Sequence, residues 1–348
     1  MTRTVVAWVA VVVVWLSSMP VLPVGHAARF QHPPNESAGG LVLGEAPSIQ
    51  ALAVSKDHVL YAGSFGSGIF KSNNRGDTWA PVNSGLADMF VHCLVITNDG
   101  VVYAGTARGG IFQSRDGGQS WQVMNTGLKQ LEVKALLLGH GVLYAGTGDG
   151  VYRYNQAGNR WDVVTTGLKE ILVNTLAMGT DRTLFAGTSG KGVMRHSSGG
   201  EGWIRTGRGL VDHEGLIENY IRVIALDKGQ NVYIGTFDGG VFRSDDGGQS
   251  WRQISRALPN DSIRGIVAID NTLVVGTGRG IYKTEDQGRQ WKPLNKGLTE
   301  LSIQVLISSG EGGFYAGTNN GVFRSQDNGQ TWVAIREGMS PPVEGQPR

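Results

Sequence analysis

A three-residue motif recurs along the chain at nearly constant spacing: an aromatic or β-branched residue, then in most copies a small residue, then glycine. Successive copies lie 42, 41, 41, 48, 41 and 41 residues apart. The copies are Tyr-Ala-Gly at 61–63, 103–105, 144–146 and 315–317, Phe-Ala-Gly at 185–187, Tyr-Ile-Gly at 233–235 and Val-Val-Gly at 274–276. Sequence periods of this size are typical of repeat proteins, so the fold is expected to contain one structural unit for each copy of the motif.

Each copy of the motif is followed by a glycine-rich turn, a short apolar segment and a tryptophan. The seven tryptophans are Trp79, Trp121, Trp161, Trp203, Trp251, Trp291 and Trp332. Within the first unit, residues 49–55, 59–64, 68–72 and 78–84 are short, apolar and bounded by turn residues, as strands are. Four such strands form one propeller blade. The sequence therefore predicts an all-β fold, a seven-bladed β-propeller of four-stranded antiparallel blades over residues 48–338.

The segments outside the repeat predict export. Arg3, the apolar run from Val5 to Leu16 and the small residues Gly25 and Ala27 follow the layout of a secretory signal peptide. We expect residues 1–27 to be this signal peptide, 28–47 a linker and 339–348 a disordered tail. The mature protein would then be periplasmic or secreted, and it would contact a membrane only if the signal segment stays uncleaved. The single cysteine excludes an internal disulfide.

An eight-residue motif precedes the tryptophan in the clearest units: SRDGGQSW at 114–121, SDDGGQSW at 244–251 and SQDNGQTW at 325–332. The residues at its carboxylate position are Asn74, Asp116, Gln156, Ser198, Asp246, Asp286 and Asp327. A catalytic acid would not be replaced by glutamine or serine, so the motif is interpreted as a hairpin turn closed by side-chain hydrogen bonds. Calcium is disfavoured, since one or two carboxylates fall short of its six to eight oxygen ligands.

This motif resembles the Asp-box, or BNR repeat, of sialidases and related propellers. The resemblance covers nearly the whole predicted mature chain. The repeats also resemble those of the photosystem II stability and assembly factor-like family of exported seven-bladed propellers, whose members act as non-catalytic scaffolds that bind a protein. The sialidase superfamily is a more distant resemblance, because sialidases have six blades and an early arginine motif that this chain lacks. Xyloglucan hydrolases pair two such propellers, whereas this chain has one.

Alignment of the units places one polar residue at the start of each predicted innermost strand. These residues are Gln50, His92, Lys134, Asn174, Arg222, Arg264 and Gln304. None is acidic, and we expect them to ring the mouth of the central channel. Arg108, Lys191 and Arg279 lie in neighbouring turns, offset by Asp149 and Asp238. The alternatives are a binding mouth for an anion or peptide and simple solvation of the strand ends.

The repeat is interrupted between units four and five, where the spacing is 48 residues. The extra residues fall within 207–222, on the connection between two blades, and they include Asp212, His213, Glu214, Glu218 and Tyr220. In a propeller this connection lies beside the channel mouth, so Tyr220 is a candidate wall of the site. A tolerated surface insertion is the alternative.

The sequence thus predicts an exported, non-catalytic binding or assembly module that uses the face opposite its Asp-boxes. His92, Lys134, Arg222 and Arg264, with Arg108, Arg279 and Tyr220 nearby, are the candidate binding residues, and converging cations favour an anionic protein or peptide. The alternative is a sialidase-like glycoside hydrolase or a carbohydrate-binding propeller. A formal net charge of +2 with scattered lysines and arginines argues against nucleic acid. No cofactor and no metal site are expected.

Overall fold

The computed structural model describes residues 46–164, 167–200, 202–210, 220–260, 262–310 and 312–340. These residues form seven four-stranded antiparallel sheets, which confirms the predicted seven-bladed propeller. Blades 1 to 4 contain β1 (Ile49–Val54), β2 (Leu60–Ser64), β3 (Ile69–Ser72), β4 (Ala80–Pro81), β5 (Val91–Ile96), β6 (Val102–Thr106), β7 (Ile111–Ser114), β8 (Gln122–Val123), β9 (Val133–Gly139), β10 (Val142–Thr147), β11 (Gly150–Asn155), β12 (Arg160–Val163), β13 (Val173–Met178), β14 (Leu184–Thr188), β15 (Val193–His196) and β16 (Ile204–Thr206).

The strands of blades 5 to 7 follow the same order. They are β17 (Ile221–Leu226), β18 (Val232–Thr236), β19 (Val241–Ser244), β20 (Arg252–Gln253), β21 (Ile263–Ile269), β22 (Thr272–Thr277), β23 (Gly280–Thr284), β24 (Lys292–Pro293), β25 (Ile303–Gly310), β26 (Gly313–Thr318), β27 (Gly321–Ser325) and β28 (Val333–Ala334). None of the residues described forms a helix that could cross a membrane.

The core lies between the blades. The inner three strands of each blade are mostly buried, because they alternate β-branched, aromatic and small residues that pack on both sheet faces. The outermost strand is two residues long in five blades, and both of its residues are exposed there. Such short outer strands leave little free edge for pairing with another chain.

The ring is closed by contact between blade 7 and blade 1. Innermost strands β25 and β1 contact each other as other neighbouring innermost strands do. The indole nitrogen of Trp79 donates to the carbonyl of Ile335 at 2.9 Å, and Arg324 pairs with Asp77 at 2.8 Å. Among the described residues, each blade is built from four consecutive strands. The predicted signal peptide 1–27 lies outside the described residues, as do most of the predicted linker and tail.

Every innermost strand contains a β-bulge at the same place. In blade 2, for example, Val91 pairs with Thr106 and Cys93 with Gly105, which leaves His92 as the extra residue. The extra residues in the seven blades are Gln50, His92, Lys134, Asn174, Arg222, Arg264 and Gln304. They are the seven residues that the repeat alignment placed at the channel mouth. A bulge turns a side chain out of the regular alternation, so all seven depart from the pleat in the same way.

Candidate functional site

Strand register separates the two faces of the propeller. In blade 2 the bulge of β5 lies beside the end of β6 and the β6–β7 turn, whereas the Asp-box follows the far end of β7. The end of each blade that carries the bulge is called the bulge face here, and the opposite end the Asp-box face. The bulge residues and the Asp-box turns therefore lie on opposite faces.

The Asp-box turns are closed by side-chain hydrogen bonds. In unit 5, Oδ1 of Asp246 accepts from the hydroxyl of Ser244 at 2.7 Å and from the amide of Ser250 at 2.9 Å. Asp116, Asp286, Asp327 and Asn74 make the same pair of contacts in their own turns. Hydrogen bonds from Ser120 lower the pKa of Asp116 to about 2, so this group is an anionic acceptor at neutral pH.

The box tryptophans connect neighbouring blades, a role that their positions in the sequence did not reveal. Six of the seven are buried, and Trp291 is partly buried. The indole of Trp121 donates to the carbonyl of Val82 in the preceding blade at 2.7 Å. Equivalent bonds are made by Trp79, Trp161, Trp203, Trp291 and Trp332. The buried indole nitrogen of Trp251 has no hydrogen-bond partner among the described residues, so this bond is not seen at the seam between blades 4 and 5.

The amide side chains of the bulge residues are tied into the bulge face. Asn174 donates to the hydroxyl of Ser189 at 2.9 Å and to the carbonyl of Ile221, in the next blade, at 3.0 Å. Gln304 donates to Asn319 at 2.7 Å, and the hydroxyl of Ser48 donates to the same Asn319 oxygen at 3.1 Å. Gln50 in turn donates to the hydroxyl of Ser48 at 2.8 Å. These bonds hold three of the seven bulge side chains in place.

Arg222 and Arg264 form the strongest positive cluster of this face. Arg222 is 3% exposed, donates to the hydroxyl of Ser262 in the next blade at 2.8 Å, and lies with its guanidinium carbon 4.0 Å from the ring centroid of Phe237. Arg264 repeats the serine contact, donating to Ser302 at 3.1 Å. Burial, together with the charge of Arg264, lowers the pKa of Arg222 to about 9, against a smaller opposing effect of the Asp238 carboxylate. Two guanidinium groups thus lie close enough to repel each other.

His92, one of the predicted binding residues, adds no positive charge to the bulge face at neutral pH. His92 is completely buried, and burial with the nearby charge of Lys134 lowers its pKa to about 3, against smaller opposing contributions from the Val133 carbonyl and Asp88. Its ring is therefore neutral at physiological pH. Lys134 lies at the equivalent place in blade 3, is 4% exposed, and pairs with Glu132 at 3.0 Å.

The remaining candidates lie around the rim of the bulge face. Arg108 is exposed, with its guanidinium carbon 5.3 Å from the ring centroid of Phe90. Arg279 is exposed in the β22–β23 turn, and Tyr220 is 44% exposed and bridges to Ser189. Lys191 and Asp238 are exposed in equivalent turns, and Asp149 is half-buried in another. Residues 211–219 of the predicted insertion, including Asp212, His213, Glu214 and Glu218, lie outside the described residues.

Two features of the bulge face, the serines that accept from the arginines and the ring of Phe237, could not be recognised from any single position in the sequence. The serines that hold both arginines, Ser262 and Ser302, stand two positions before the bulge in blades 6 and 7. Phe237 is the residue that follows β18; unit 1 also has phenylalanine at this position, Phe65, and the other units carry alanine, glycine, serine or asparagine. Alignment of these flanking positions would have shown both, since they repeat with the same period.

The described chain is therefore a seven-bladed Asp-box propeller that carries Arg222 and Arg264 on neighbouring bulges of one face. Residues 154–299 match the family described as photosynthesis system II assembly factor YCF48, which bears out the resemblance over that segment. No curated protein matches the chain.

Solved structures share the fold. The extracellular domain of BT4673 from B. thetaiotaomicron superposes with a TM-score of 0.68 and 19% identity, over 81% of this chain and 38% of that one. AFV00434, an ancestral GH74 enzyme, gives 0.67 and 17%, over 85% and 47%. YCF48 bound to a D1 peptide gives 0.63 and 13%, over 80% and 92%. The chain thus spans about two fifths of the BT4673 domain and less than half of the GH74 enzyme.

Proposed function

We propose that this protein is an exported, non-catalytic binding or assembly module whose bulge face takes an anionic protein or peptide segment. The observation that carries the proposal is the Arg222–Arg264 pair on neighbouring bulges. An anion placed between the two guanidinium groups would relieve their repulsion, and guanidinium groups bind carboxylates through paired hydrogen bonds.

The similarity pattern supports a binding role. The match to YCF48 covers 92% of the YCF48 chain, and that protein has been solved with a bound peptide. The BT4673 match is an extracellular domain, which agrees with an exported, periplasmic or secreted propeller. Cleavage after residue 27 would appear directly in the N-terminal sequence of the mature protein.

The described carboxylates favour binding over acid–base chemistry. Asp88 accepts from the amides of Arg108 and Gly109 at 2.6 and 2.8 Å, and Glu132 pairs with Lys134, so both of these carboxylates near the mouth have partners within the chain. Among the described residues, the carboxyl groups whose pKa is shifted lie away from the mouth and are all shifted downward, whereas a catalytic acid needs a raised pKa. The GH74 likeness keeps a glycoside hydrolase as the competing function, to be tested with a panel of glycosides.

The test replaces both arginines with glutamine, the residue that the bulge already holds at Gln50 and Gln304. Arg222→Gln with Arg264→Gln should weaken capture of the partner from periplasmic extract by about tenfold or more, because charge-assisted hydrogen bonds are lost. Arg252→Gln, which removes an exposed charge on the Asp-box face, is the matched control. Rising salt should weaken wild-type capture. Equal capture by the double variant, or crosslinks confined to the Asp-box face, would contradict the proposal.

A further inference from the structure

The Asp-box turns also fill the seams between blades. In each of the five units with an Asp or Asn at the carboxylate position, the box glycine packs on the preceding blade. A Cβ built on Gly118 would lie 3.1 Å from Val82, and one on Gly329 would lie 2.8 Å from Leu294. The same holds for Gly76 against Ile335, Gly248 against Phe185 and Gly288 against Ile254.

Unit 3 lacks this contact. Its turn carries Gln156 at the carboxylate position, and the nearest atoms to a Cβ on Gly158 belong to Arg160 and Asn155 of the same hairpin. The turn is closed differently, with the amide of Gly158 donating to Asn155 Oδ1 at 3.1 Å. A cleft of about 160 Å³ lies at the seam between blades 2 and 3, lined partly by Met124. Met124 stands three residues after Trp121, the position that Val82, Ile254, Leu294 and Ile335 hold in their own units.

The walls of this cleft are mainly polar. Blade 2 contributes Gln113, Arg115 and Gln122, and blade 3 contributes Tyr154 and Asn159. Arg115 Nε donates to Gln113 Oε1 at 3.1 Å, and Gln113 Nε2 donates to the hydroxyl of Tyr103 at 2.8 Å. The hydroxyl of Tyr154 donates to Asn159 at 2.5 Å. These bonds hold the polar groups in fixed positions before any ligand arrives.

The lining matches a sugar ring that carries a carboxylate. Amide side chains both donate and accept hydrogen bonds, as sugar hydroxyls do. Arg115 is the only charged residue in the lining, and a guanidinium group pairs well with a carboxylate. The volume is well below the range of about 300–1,000 Å³ typical of larger ligands, so it suits one ring.

We propose that the cleft between blades 2 and 3 binds a single uronic acid residue of an acidic saccharide. This site lies on the Asp-box face and is separate from the bulge face of the proposed function. In unit 3 a different turn replaces the Asp-box that packs against the preceding blade in the five units with Asp or Asn; unit 4, with Ser198 at the carboxylate position, also lacks that glycine contact.

The test follows the Met124 methyl group by NMR in protein labelled at methionine methyls, with Met124→Leu giving the assignment. Galacturonate, glucuronate and galactose are the probes. Either uronate should shift the Met124 signal saturably and leave Met194 and Met339, which lie in other blades, unchanged. Galactose should bind more weakly, since it has no carboxylate for Arg115.

Two variants locate the site. Arg115→Gln should weaken uronate binding by about tenfold and bring it near that of galactose, because a charge-assisted contact is lost. Arg252→Gln removes a comparable exposed charge from blade 5 and should leave binding unchanged. Units 3 and 5 have equal length here, so residues 154–160 (YNQAGNR) can be replaced by the sequence of residues 244–250 (SDDGGQS). This graft should fill the cleft and abolish binding while the melting temperature is kept.

The proposal is overturned if neither uronate shifts Met124, if Arg115→Gln binds uronate as well as wild type does, or if the folded graft still binds. Should the graft fail to fold, the Arg115→Gln result decides alone.

Discussion

At the scale of single residues, the Asp-box carboxylate is a hydrogen-bond acceptor within a turn. Burial raises the pKa of Asp246, but hydrogen bonds from the hydroxyl and amide of Ser250 and from Ser244 outweigh it and lower the pKa to about 2. In unit 1 the uncharged Asn74 closes the turn in the same way. Its Oδ1 accepts from the hydroxyl of Ser72 and the amide of Thr78, and its Nδ2 donates to the Thr78 hydroxyl at 2.9 Å.

Asp246→Asn should therefore change the free energy of unfolding by less than about 1 kcal/mol at neutral pH, since asparagine can reproduce the turn contacts. It should leave partner capture, and any activity on a glycoside panel, at the wild-type level. Urea unfolding gives the first quantity. Asp246→Ala is the control that loses the acceptor and should cost more. A loss of about 10²-fold or more in hydrolysis by Asp246→Asn would assign this carboxylate a catalytic role.

His92 links stability to pH. Its pKa is about 3 in the folded protein, whereas an unperturbed histidine titrates near 6.5, so the unfolded chain binds more protons between these values. Above about pH 6.5 the ring is neutral in both states and contributes no pH dependence, and stability should fall as the pH drops from there toward 3. At pH 5 the loss attributable to His92 should be about 2 kcal/mol.

His92→Asn places at this bulge the residue found at Asn174 and should remove that dependence. Urea unfolding of both proteins at pH 7 and pH 5 measures the difference, with the acidic groups common to both cancelling. Parallel pH dependences for the two proteins would show that folding does not lower the pKa of His92.

At the scale of elements, the seams differ in one hydrogen bond. Trp121→Phe should leave the carbonyl of Val82 unpaired, whereas Trp251→Phe removes an indole N–H that has no partner. Both changes lose some packing. Trp121→Phe should therefore destabilise by about 1 kcal/mol more than Trp251→Phe in denaturant unfolding. A larger cost at Trp251 would mean that its indole nitrogen is bonded in solution.

The strands were predictable because the same pattern of four strands recurs in each unit of the sequence. The alternation in segments such as 49–55 and the tryptophan spacing gave the blade number and the strand order. The bulge was visible only as a column of polar residues, since its register shift is a property of strand pairing. The burial of His92 escaped prediction for the same reason: polar residues at a strand start are expected to be solvated, yet five of the seven residues in this column are buried and only Arg264 and Gln304 are partly exposed.

At the scale of the whole molecule, the ring is closed by packing and a few specific bonds. Ala46 donates to Asn320 at 2.9 Å at the N-terminal end, and the amide of Trp79 donates to the carbonyl of Glu337 at 2.9 Å near the C-terminal end, so both ends of the described chain are held at the seam between blades 7 and 1. Ala46 and Met339 belong to the same buried cluster. The seam between blades 4 and 5 instead lacks the indole bond and carries the long connection.

These differences predict where the ring can be cut. A circular permutant that joins residue 340 to residue 46 through a short Gly/Ser linker and begins at Tyr220, ending at Leu210, should fold. Every blade stays intact in this permutant, and the opened seam is the one without the indole bond. Its free energy of unfolding should stay within about 2 kcal/mol of wild type, because exchanging one loop closure for another costs little.

The control permutant is opened between Asp99 and Gly100, within the β5–β6 turn, and therefore separates the innermost strand of blade 2 from its own blade. It should be clearly less stable, since the β5–β6 pairing, which a turn of a few residues closes in the wild type, must then be closed by nearly the whole chain, and each doubling of loop length costs about 0.6 kcal/mol. Denaturant unfolding compares the two, and capture of the partner reports whether Arg222 and Arg264 still share one mouth. Equal stability of both permutants would mean that blade integrity does not govern the assembly of this ring.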